Sequence, residues 1–184
     1  MKILAGLIDQ NIEFFAYKGK AYAIYRGDTY HISRLPEKII DLLFDELMKY
    51  PEAVKALSDM GIVGRNQMIE QFVICRFGGI DDIPDFEQGK VNFTSDYYDC
   101  GKRDSCPFQF KLCGRVKIGN AYLTRKEIEI VKLIASGYID VQGADKAKIS
   151  LNTYLTHKKN IYMKLAVQSQ SQLTALAYKY NLIS

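Results

Sequence analysis

The chain has 184 residues, of which 48% are hydrophobic and 25% are charged. This balance indicates a folded globular protein and excludes a disordered chain, and the length allows one domain of ordinary size or two small ones. No apolar run approaches the roughly 20 residues that a membrane-spanning helix needs, so we expect a cytoplasmic protein with no membrane partner.

The net charge of +4 is unevenly distributed along the chain. From Leu123 to the C-terminus, nine Lys and Arg stand against four Asp and Glu, a surplus of five positive charges. The preceding residues carry sixteen basic and seventeen acidic side chains, a balance of −1. The basic excess is confined to the last third of the chain, as expected if this part is attracted to phosphates. The excess is modest in size.

The first third of the chain predicts a small antiparallel meander followed by helices. Three segments rich in aromatic and β-branched residues predict short strands at 12–17, 21–26 and 29–32. Turn signals containing Gly19 and Gly27 separate these strands. Apolar residues at helical spacing then predict three helices, which begin near Pro36, Pro51 and Asn66.

A cysteine-rich loop at about 77–118 follows, with no helical or strand periodicity of useful length. A loop this long in a compact protein is uncommon unless it is functional, disordered or held together. Four thiolates can complete a tetrahedral metal site, so we predict a metal bound by all four cysteines of the chain, zinc first and an iron–sulfur cluster as the alternative. The predicted ligands are Cys75, Cys100, Cys106 and Cys113.

The spacing of these cysteines does not match a standard zinc motif, because no pair is separated by two to four residues. Free cysteines buried as small hydrophobic side chains, or one or two disulfides, therefore remain as alternatives. Nearby basic residues would partly balance the charge of a thiolate centre: Lys102, Arg103, Lys111 and Arg115. No cysteine is paired with a base in a recognisable nucleophile arrangement, so we expect no enzyme activity.

The C-terminal part of the chain predicts a compact domain of four helices. Thr124 and Glu127 form a capping box for the first helix, and Gly137 ends it. Apolar periodicity then predicts a supporting helix at 138–148, a helix at about 151–165 capped by Ser150, and a last helix at about 169–180.

This order of elements resembles the LuxR-type helix-turn-helix of bacterial regulators. The resemblance is carried by Leu123-Thr124-Arg125-Lys126-Glu127, by Ala135-Ser136-Gly137, and by the pattern from Thr153 through His157 and Ile161 to Lys164-Leu165. With the meander and helices predicted for the first third, it implies an α+β protein with an N-terminal sensory or interaction domain at 1–118 and a LuxR-type DNA-binding domain at 119–184. It also implies a regulator that binds double-stranded DNA, as a homodimer through the C-terminal helix.

The resemblance also implies which residues meet DNA. The family's pattern Thr-Val-Lys-x-His-x-x-x-Ile lies in the major groove, and here it occupies residues 153–161. The base-facing positions then fall on Leu155, Thr156 and Lys159, where a lysine can donate to guanine and an apolar group can contact a thymine methyl. The implied phosphate contacts are Thr153, Lys158 and Lys164. Alternatively, these lysines lie on a solvent-exposed helix face and do not contact DNA.

Three departures from the family's pattern bear on DNA contact and on the supporting helix. Leu155 stands where the family has a lysine, and Gly143 and Ala147 replace large aliphatic residues of the supporting helix. Since a glycine inside a helix costs on the order of 1 kcal/mol against alanine, we expect this helix to be short, bent or frayed and its packing to be poorer. The alternative function is therefore an adaptor that binds proteins and whose helix-turn-helix no longer binds DNA.

The N-terminal part resembles neither familiar input domain of such regulators. A phosphoacceptor receiver domain needs strands and helices in alternation, whereas this chain begins with strands and continues with helices. An autoinducer-binding domain usually contains tryptophan, and this chain has none. We therefore expect a different input domain, stabilised by metal or responsive to redox chemistry, with a protein partner as a further expectation.

Overall fold

The computed structural model describes residues 4–80, 84–87, 89–92, 97–103, 105–180 and 182–183. It divides into two compact units, Met1–Gly114 and Arg115–Ser184. The α+β fold class is confirmed, since the first unit combines a sheet with helices and the second is mainly helical. Within the described ranges, no helix is both long and apolar enough to cross a membrane.

Three antiparallel strands form the centre of the sheet in the first unit: β1 (Ile12–Tyr17), β2 (Lys20–Tyr25) and β3 (Asp28–His31). Two-residue loops at 18–19 and 26–27 connect them. All four loop residues have positive φ, which is the geometry of the type I′ turn whose twist matches that of the flanking strands. The predicted meander is confirmed.

A second hairpin, β4 (Phe86–Glu87) and β5 (Lys90–Val91), extends the sheet in the order β3-β2-β1-β4-β5. The carboxylate of Asp85, just before β4, accepts a hydrogen bond of 2.8 Å from the Phe14 backbone N–H of β1. Sequence periodicity did not predict this hairpin, because a strand of two residues is too short to show alternation. Part of the predicted cysteine-rich loop is therefore sheet.

Three helices follow a 3-10 turn at Ile32–Arg34: α1 (Glu37–Met48), α2 (Pro51–Asp59) and α3 (Arg65–Arg76). Helix α3 contacts β1 and β2, and α1 contacts both α2 and α3. The core between these layers contains large, fully buried side chains, among them Phe14, Leu43, Leu47, Leu57, Phe72 and Phe77. Cys75 lies in the last turn of α3, next to this core.

The second unit begins with a short hairpin, β6 (Lys117–Ile118) and β7 (Ala121–Tyr122), which the sequence analysis did not predict. Four helices follow: α4 (Arg125–Ala135), α5 (Asp140–Lys146), α6 (Leu151–Leu165) and α7 (Gln170–Lys179). All four lie where apolar periodicity predicts them. Helix α5 is shorter than the predicted span of 138–148, as Gly143 led us to expect.

Serine or threonine hydroxyls cap the N-termini of three of these helices. Thr124, Ser150 and Ser169 each accept a hydrogen bond from the backbone N–H three residues further on. At α4, the Glu127 carboxylate also accepts a hydrogen bond of 2.7 Å from the Thr124 N–H, which completes the predicted capping box. These caps satisfy backbone donors that have no partner within the helix, so they define where α4, α6 and α7 begin.

Candidate nucleic-acid interface and thiol pair

Helix α6 has one face anchored in the second unit and the opposite face exposed. Tyr154 and Ile161 are fully buried, which sets the rotation of the helix about its axis. Leu155 is 41% exposed, and Thr156 and Lys159 are exposed beside it. Because residues three and four apart lie on the same side of a helix, these three side chains share one outward face. They are the three residues predicted to contact bases.

Thr153 and Thr156 both use their hydroxyls in local hydrogen bonds of α6 and its N-terminal cap. Thr156 Oγ1 donates a hydrogen bond of 2.8 Å to the Asn152 carbonyl oxygen. Thr153 Oγ1 lies 2.8 Å from Ser150 Oγ at the helix start. Since Thr156 uses its hydroxyl proton within the helix, its methyl group and oxygen lone pairs are what it presents outward.

The three predicted lysines differ in their partners. Lys158 Nζ lies 2.6 Å from Asp140 Oδ1 in the first turn of α5. Lys164 Nζ donates hydrogen bonds of 2.7 and 2.8 Å to the two carboxylate oxygens of Glu127. Lys159 is exposed and has no carboxylate partner in the part of the chain that the structure describes. Neither ion pair was predictable from the sequence, because the paired residues are distant along the chain and no local pattern links them.

Lys164 stabilises the α4 cap. The Glu127 side chain is only 8% exposed and accepts hydrogen bonds from Lys164 and from the Thr124 N–H. Burial raises the pKa of Glu127, but the hydrogen bonds from Lys164 and Thr124 outweigh burial and hold this pKa below its usual value. Lys164, predicted to meet phosphate, therefore has a structural partner in the free chain.

The supporting helix α5 packs on α6 through its glycine. A Cβ at Gly143 would lie 2.4 Å from Tyr154 Oη, so the tyrosine ring occupies the space that a side chain would need. The expectation that Gly143 leaves the packing poorer is therefore wrong, since Tyr154 is fully buried against it. Burial, together with the nearby Asp140 carboxylate, raises the pKa of Tyr154 to about 12.

An open, mainly apolar groove of about 570 Å³ runs along the exposed side of α6 and the turn that follows it. Its lining comprises Leu155, Lys158, Lys159, Tyr162, Met163, Ala166, Val167 and Gln168. Met163 is 64% exposed there. Leu155, the position that departs from the family's lysine, thus continues an apolar strip flanked by two lysines.

The part of the chain that contains these helices is similar in sequence to known proteins. Residues 121–177 match the family of bacterial regulatory proteins, luxR family. Residues 121–177 form a LuxR-family helix-turn-helix domain. The LuxR-family domain thus contains β7, α4, α5, α6 and most of α7, with α5 and α6 as the helix-turn-helix pair.

Curated relatives match a similar length of chain. The response regulator protein VraR of Staphylococcus aureus is 43% identical over 61 residues, and the proteins of the same name from Staphylococcus saprophyticus and Staphylococcus epidermidis give the same values. Each match covers 33% of this chain and 29% of the relative. The likeness therefore spans less than a third of the relatives' length.

All four cysteines lie outside the LuxR-family domain, in the first unit, and their environments differ. Cys113 is buried, Cys75 and Cys106 are half-buried, and Cys100 is exposed. Among the residues that the structure describes, no group of three or more His, Cys, Asp or Glu side chains is placed so that it could hold a metal ion. The predicted four-cysteine zinc or iron–sulfur site is not assembled here, and metal binding stays a prediction.

Cys75 and Cys113 differ in the acidity of their thiols. Gln71 Nε2 donates a hydrogen bond of 3.1 Å to Cys75 Sγ. The Cys75 side chain, aided by the guanidinium groups of Arg103 and Arg76, lowers the pKa of Cys113 to about 6 against the opposing effect of burial. The Cys113 side chain and burial raise the pKa of Cys75.

Arg103 is a buried cation of the first unit. Its side chain is only 4% exposed and donates hydrogen bonds of 3.2 Å to the Tyr98 carbonyl and 3.3 Å to the Gly114 carbonyl. Its guanidinium also lies 4.8 Å from the centre of the Tyr97 ring. Of the four basic residues that the sequence offered as counterions, Arg103 lowers the pKa of Cys113, and so does Arg76, which was not predicted.

Proposed function

We propose that this chain is a DNA-binding transcription regulator whose LuxR-family domain inserts α6 into the major groove of duplex DNA. The observation that carries the proposal is the outward face of α6, where Leu155, Thr156 and Lys159 are exposed on a helix anchored by two buried side chains. An α-helix fits the major groove, where base edges are distinguishable. Such a regulator works in the bacterial cytoplasm.

The proposed DNA contacts are of two kinds, contacts to bases and contacts to phosphates. Lys159 donates to guanine, and the apolar groups of Leu155 and Thr156 meet thymine methyl groups. Thr153 and Lys158 bind phosphates, which position the helix but carry no sequence information. Lys158 must leave Asp140 to do so, and Lys164 must leave Glu127 to reach a phosphate.

The test is duplex binding as a function of salt. The full chain is used to select its preferred sequence from random duplexes, and fluorescence anisotropy then follows binding between about 50 and 200 mM salt. Binding that weakens steeply with salt supports the proposal, because each neutralised phosphate releases counterions. Lys159→Ala should weaken binding and broaden the selected sequence. Lys55→Ala, the same substitution on α2 in the first unit, is the matched control and should change neither.

The second candidate function is a protein-interaction adaptor, which the apolar groove beside Leu155 favours. An adaptor would bind duplex DNA weakly or not at all, and its affinity would not depend on base sequence. Restoring the family's residue with Leu155→Lys discriminates the two. A regulator that already binds DNA should change its preferred bases, whereas an adaptor should gain salt-dependent binding that the native chain lacks.

We also propose that the regulator dimerises through α7. Leu173 and Ala177 face the core of the second unit, while Tyr178 is 55% exposed on the same helix. A symmetric contact between two copies would bury this ring. Sedimentation of the full chain with and without Tyr178→Glu tests this, and a chain that is monomeric at all concentrations, on DNA and off it, rejects it.

The first unit is proposed as the input domain, metal-stabilised or redox-responsive, with a protein partner as a further proposal. A zinc ion or iron–sulfur cluster would require the sulfurs of all four cysteines, Cys75, Cys100, Cys106 and Cys113, to come together around the metal. Metal analysis of the full chain purified without oxygen tests this form directly. About one zinc per chain, or an iron–sulfur absorption band, would support it, and four free thiols without metal would reject it.

A further inference from the structure

We propose that a small cavity in the first unit binds a primary ammonium ion with a short alkyl chain. The cavity, of about 120 Å³, is lined by residues of α1, of α3 and of the 3-10 turn with the histidine before it. All of its lining belongs to the first unit, so the site does not include the DNA-binding face of α6. The proposal rests on the input role of the first unit for its purpose, while the binding itself is testable without DNA.

The buried part of the lining is apolar. Ile32, Ile40 and Ile69 come from the turn, α1 and α3, and none of them is more than 7% exposed. A water-sized group occupies about 30 Å³, so the cavity has room for about four such groups. Sites for small molecules combine an apolar lining of this kind with a few polar groups that fix the ligand's orientation. The lining therefore suits a chain of about four carbons.

The polar part of the lining offers hydrogen-bond acceptors without partners. The side-chain amides of Asn66 and Gln67 make no hydrogen bond to other residues that the structure describes. Glu70 Oε1 accepts hydrogen bonds of 3.0 Å from His31 Nε2 and 3.4 Å from the Ala21 backbone N–H, whereas Oε2 accepts none within the described ranges. The two amide oxygens and Glu70 Oε2 match in number the three N–H donors of a primary ammonium group.

The charge of the lining favours a cation. Glu37 and Glu70 are its carboxylates, and no lysine or arginine lines the cavity in the part of the chain that the structure describes. Arg65 donates a hydrogen bond of 2.9 Å to Glu37 Oε1 and also pairs with Asp41, so its single positive charge is shared between two carboxylates. A bound anion would therefore meet negative charge without a free cation to offset it.

His31 positions Glu70 without neutralising it. Its Nδ1 accepts a hydrogen bond of 3.3 Å from the Ser33 backbone N–H and lies 2.8 Å from Ser33 Oγ. Since Nδ1 is an acceptor, it carries no proton, and the ring proton is on Nε2, which donates it to Glu70. The neutral imidazole fixes the carboxylate and leaves its full negative charge for a ligand.

A metal ion and an amino acid are poorer matches than a simple amine. No three His, Cys, Asp or Glu side chains among the described residues are placed to hold a metal ion. A metal ion also gains nothing from the three isoleucines, whereas an alkyl chain buries its carbons against them. The carboxylate of an amino acid would lie close to Glu37 and Glu70 and be repelled. The ligand class is therefore an alkylammonium ion.

The experiment titrates n-butylammonium chloride into the nitrogen-15-labelled full chain while proton–nitrogen correlation spectra are recorded, with sodium chloride holding the ionic strength constant. We expect saturable shifts in about the millimolar range, largest for the backbone amides of residues 31–33 and 66–70. Butan-1-ol and pentanoate carry the same butyl chain with a neutral or a negative head group. Butan-1-ol should bind about tenfold more weakly, because charge-assisted hydrogen bonds are the stronger ones, and pentanoate should not bind.

Variants test the carboxylate and the amide separately. Glu70→Gln keeps the side-chain size and removes the charge, so it should weaken butylammonium binding about tenfold or more. Gln67→Ala removes an acceptor at an exposed position, where folding does not depend on it, and should weaken binding several-fold. Glu52→Gln is the matched control, since it removes an equal charge from an exposed site on α2 outside the cavity. It should bind butylammonium as the native chain does.

The proposal would be overturned by the absence of saturable shifts at these residues, or by equal affinities for butylammonium and butan-1-ol. Native binding by both Glu70→Gln and Gln67→Ala would overturn it too. Failure of the regulator proposal is distinguishable. A chain that binds butylammonium here but binds no duplex DNA would reject gene regulation and leave the ligand site standing, whereas the opposite result would reject the ligand site alone.

Discussion

The ring of Tyr154 fills the space beside Gly143 so completely that a Cβ on the glycine would lie 2.4 Å from the tyrosine Oη and 2.5 Å from its Cζ. In the family's pattern, the Tyr154 position carries valine and the Gly143 position a large aliphatic. The side-chain volume that α5 lacks at Gly143 is therefore supplied by the Tyr154 ring of α6. The two substitutions compensate for each other in the packing of α5 on α6.

This exchange predicts that the two positions are energetically coupled. Gly143→Ile should destabilise the chain by about 1–3 kcal/mol, because it overpacks the contact. Tyr154→Val should cost about 2–4 kcal/mol, because it leaves a cavity. The double variant should be more stable than the sum of the single effects by about 1–3 kcal/mol, since isoleucine can occupy the cavity. Urea unfolding of the four proteins measures the coupling, and strictly additive effects would contradict it.

Tyr154→Phe is the control for that series. The hydroxyl of Tyr154 is buried and has no hydrogen-bond partner among the described residues. Removing it while keeping the ring should therefore leave stability within about 1 kcal/mol of the native chain or raise it. A loss of several kcal/mol on this substitution would mean that the hydroxyl has a partner, and the coupling at Gly143 would then need another explanation.

Local elements were predictable from the sequence, whereas contacts between side chains on different helices were not. Strong helical periodicity and hydroxyl caps predict α4, α6 and α7 within a residue or two, and Gly19 and Gly27 predict the turns of the meander. The Tyr154–Gly143 contact was not predictable, because it depends on two residues in different helices, each of which looks unfavourable on its own. The same reason hid the pairing of Lys158 with Asp140 and of Lys164 with Glu127.

The proposed interface predicts different outcomes for two lysines of α6. Lys159→Ala should weaken duplex binding and reduce the salt dependence, with little effect on folding, because Lys159 is exposed without a carboxylate partner in the described ranges. Lys164→Ala should instead lower stability by about 1–2 kcal/mol, since it leaves the buried Glu127 without its cation. Anisotropy and urea unfolding on both variants separate the two roles, and equal effects would reject this division.

Asp140 is predicted to restrain DNA binding. Its carboxylate holds Lys158 Nζ at 2.6 Å, so the lysine must exchange this partner for a phosphate. Asp140→Asn should therefore raise affinity for duplex DNA several-fold at low salt and steepen the salt dependence, because one more cation is available and one repulsive charge is gone. Asp145→Asn removes an equal charge from the same helix region without this ion pair, and an equal gain there would show that net charge alone is responsible.

The Glu127 carboxylate predicts how stability depends on pH. Its pKa in the folded chain is held below the usual value of about 4.5, so the folded state favours the ionised form. The stabilisation is fully present above the pKa of the unfolded chain and is lost as pH falls through the lower pKa of the folded chain. Below about pH 4.5 the native chain should therefore lose more of its free energy of unfolding than Glu127→Gln does.

Glu129→Gln is the matched control, since this exposed carboxylate lies on the same helix and pairs with Lys126 at its surface. It should leave the acid-induced loss close to that of the native chain, because surface ion pairs contribute little. Lys164→Met should come close to Glu127→Gln, since it removes the ammonium group that most lowers the Glu127 pKa and leaves only the Thr124 hydrogen bonds to oppose burial. Thermal unfolding at a series of pH values measures all four proteins. Parallel curves for the native chain and Glu127→Gln would show that the buried pair does not set the acid limit.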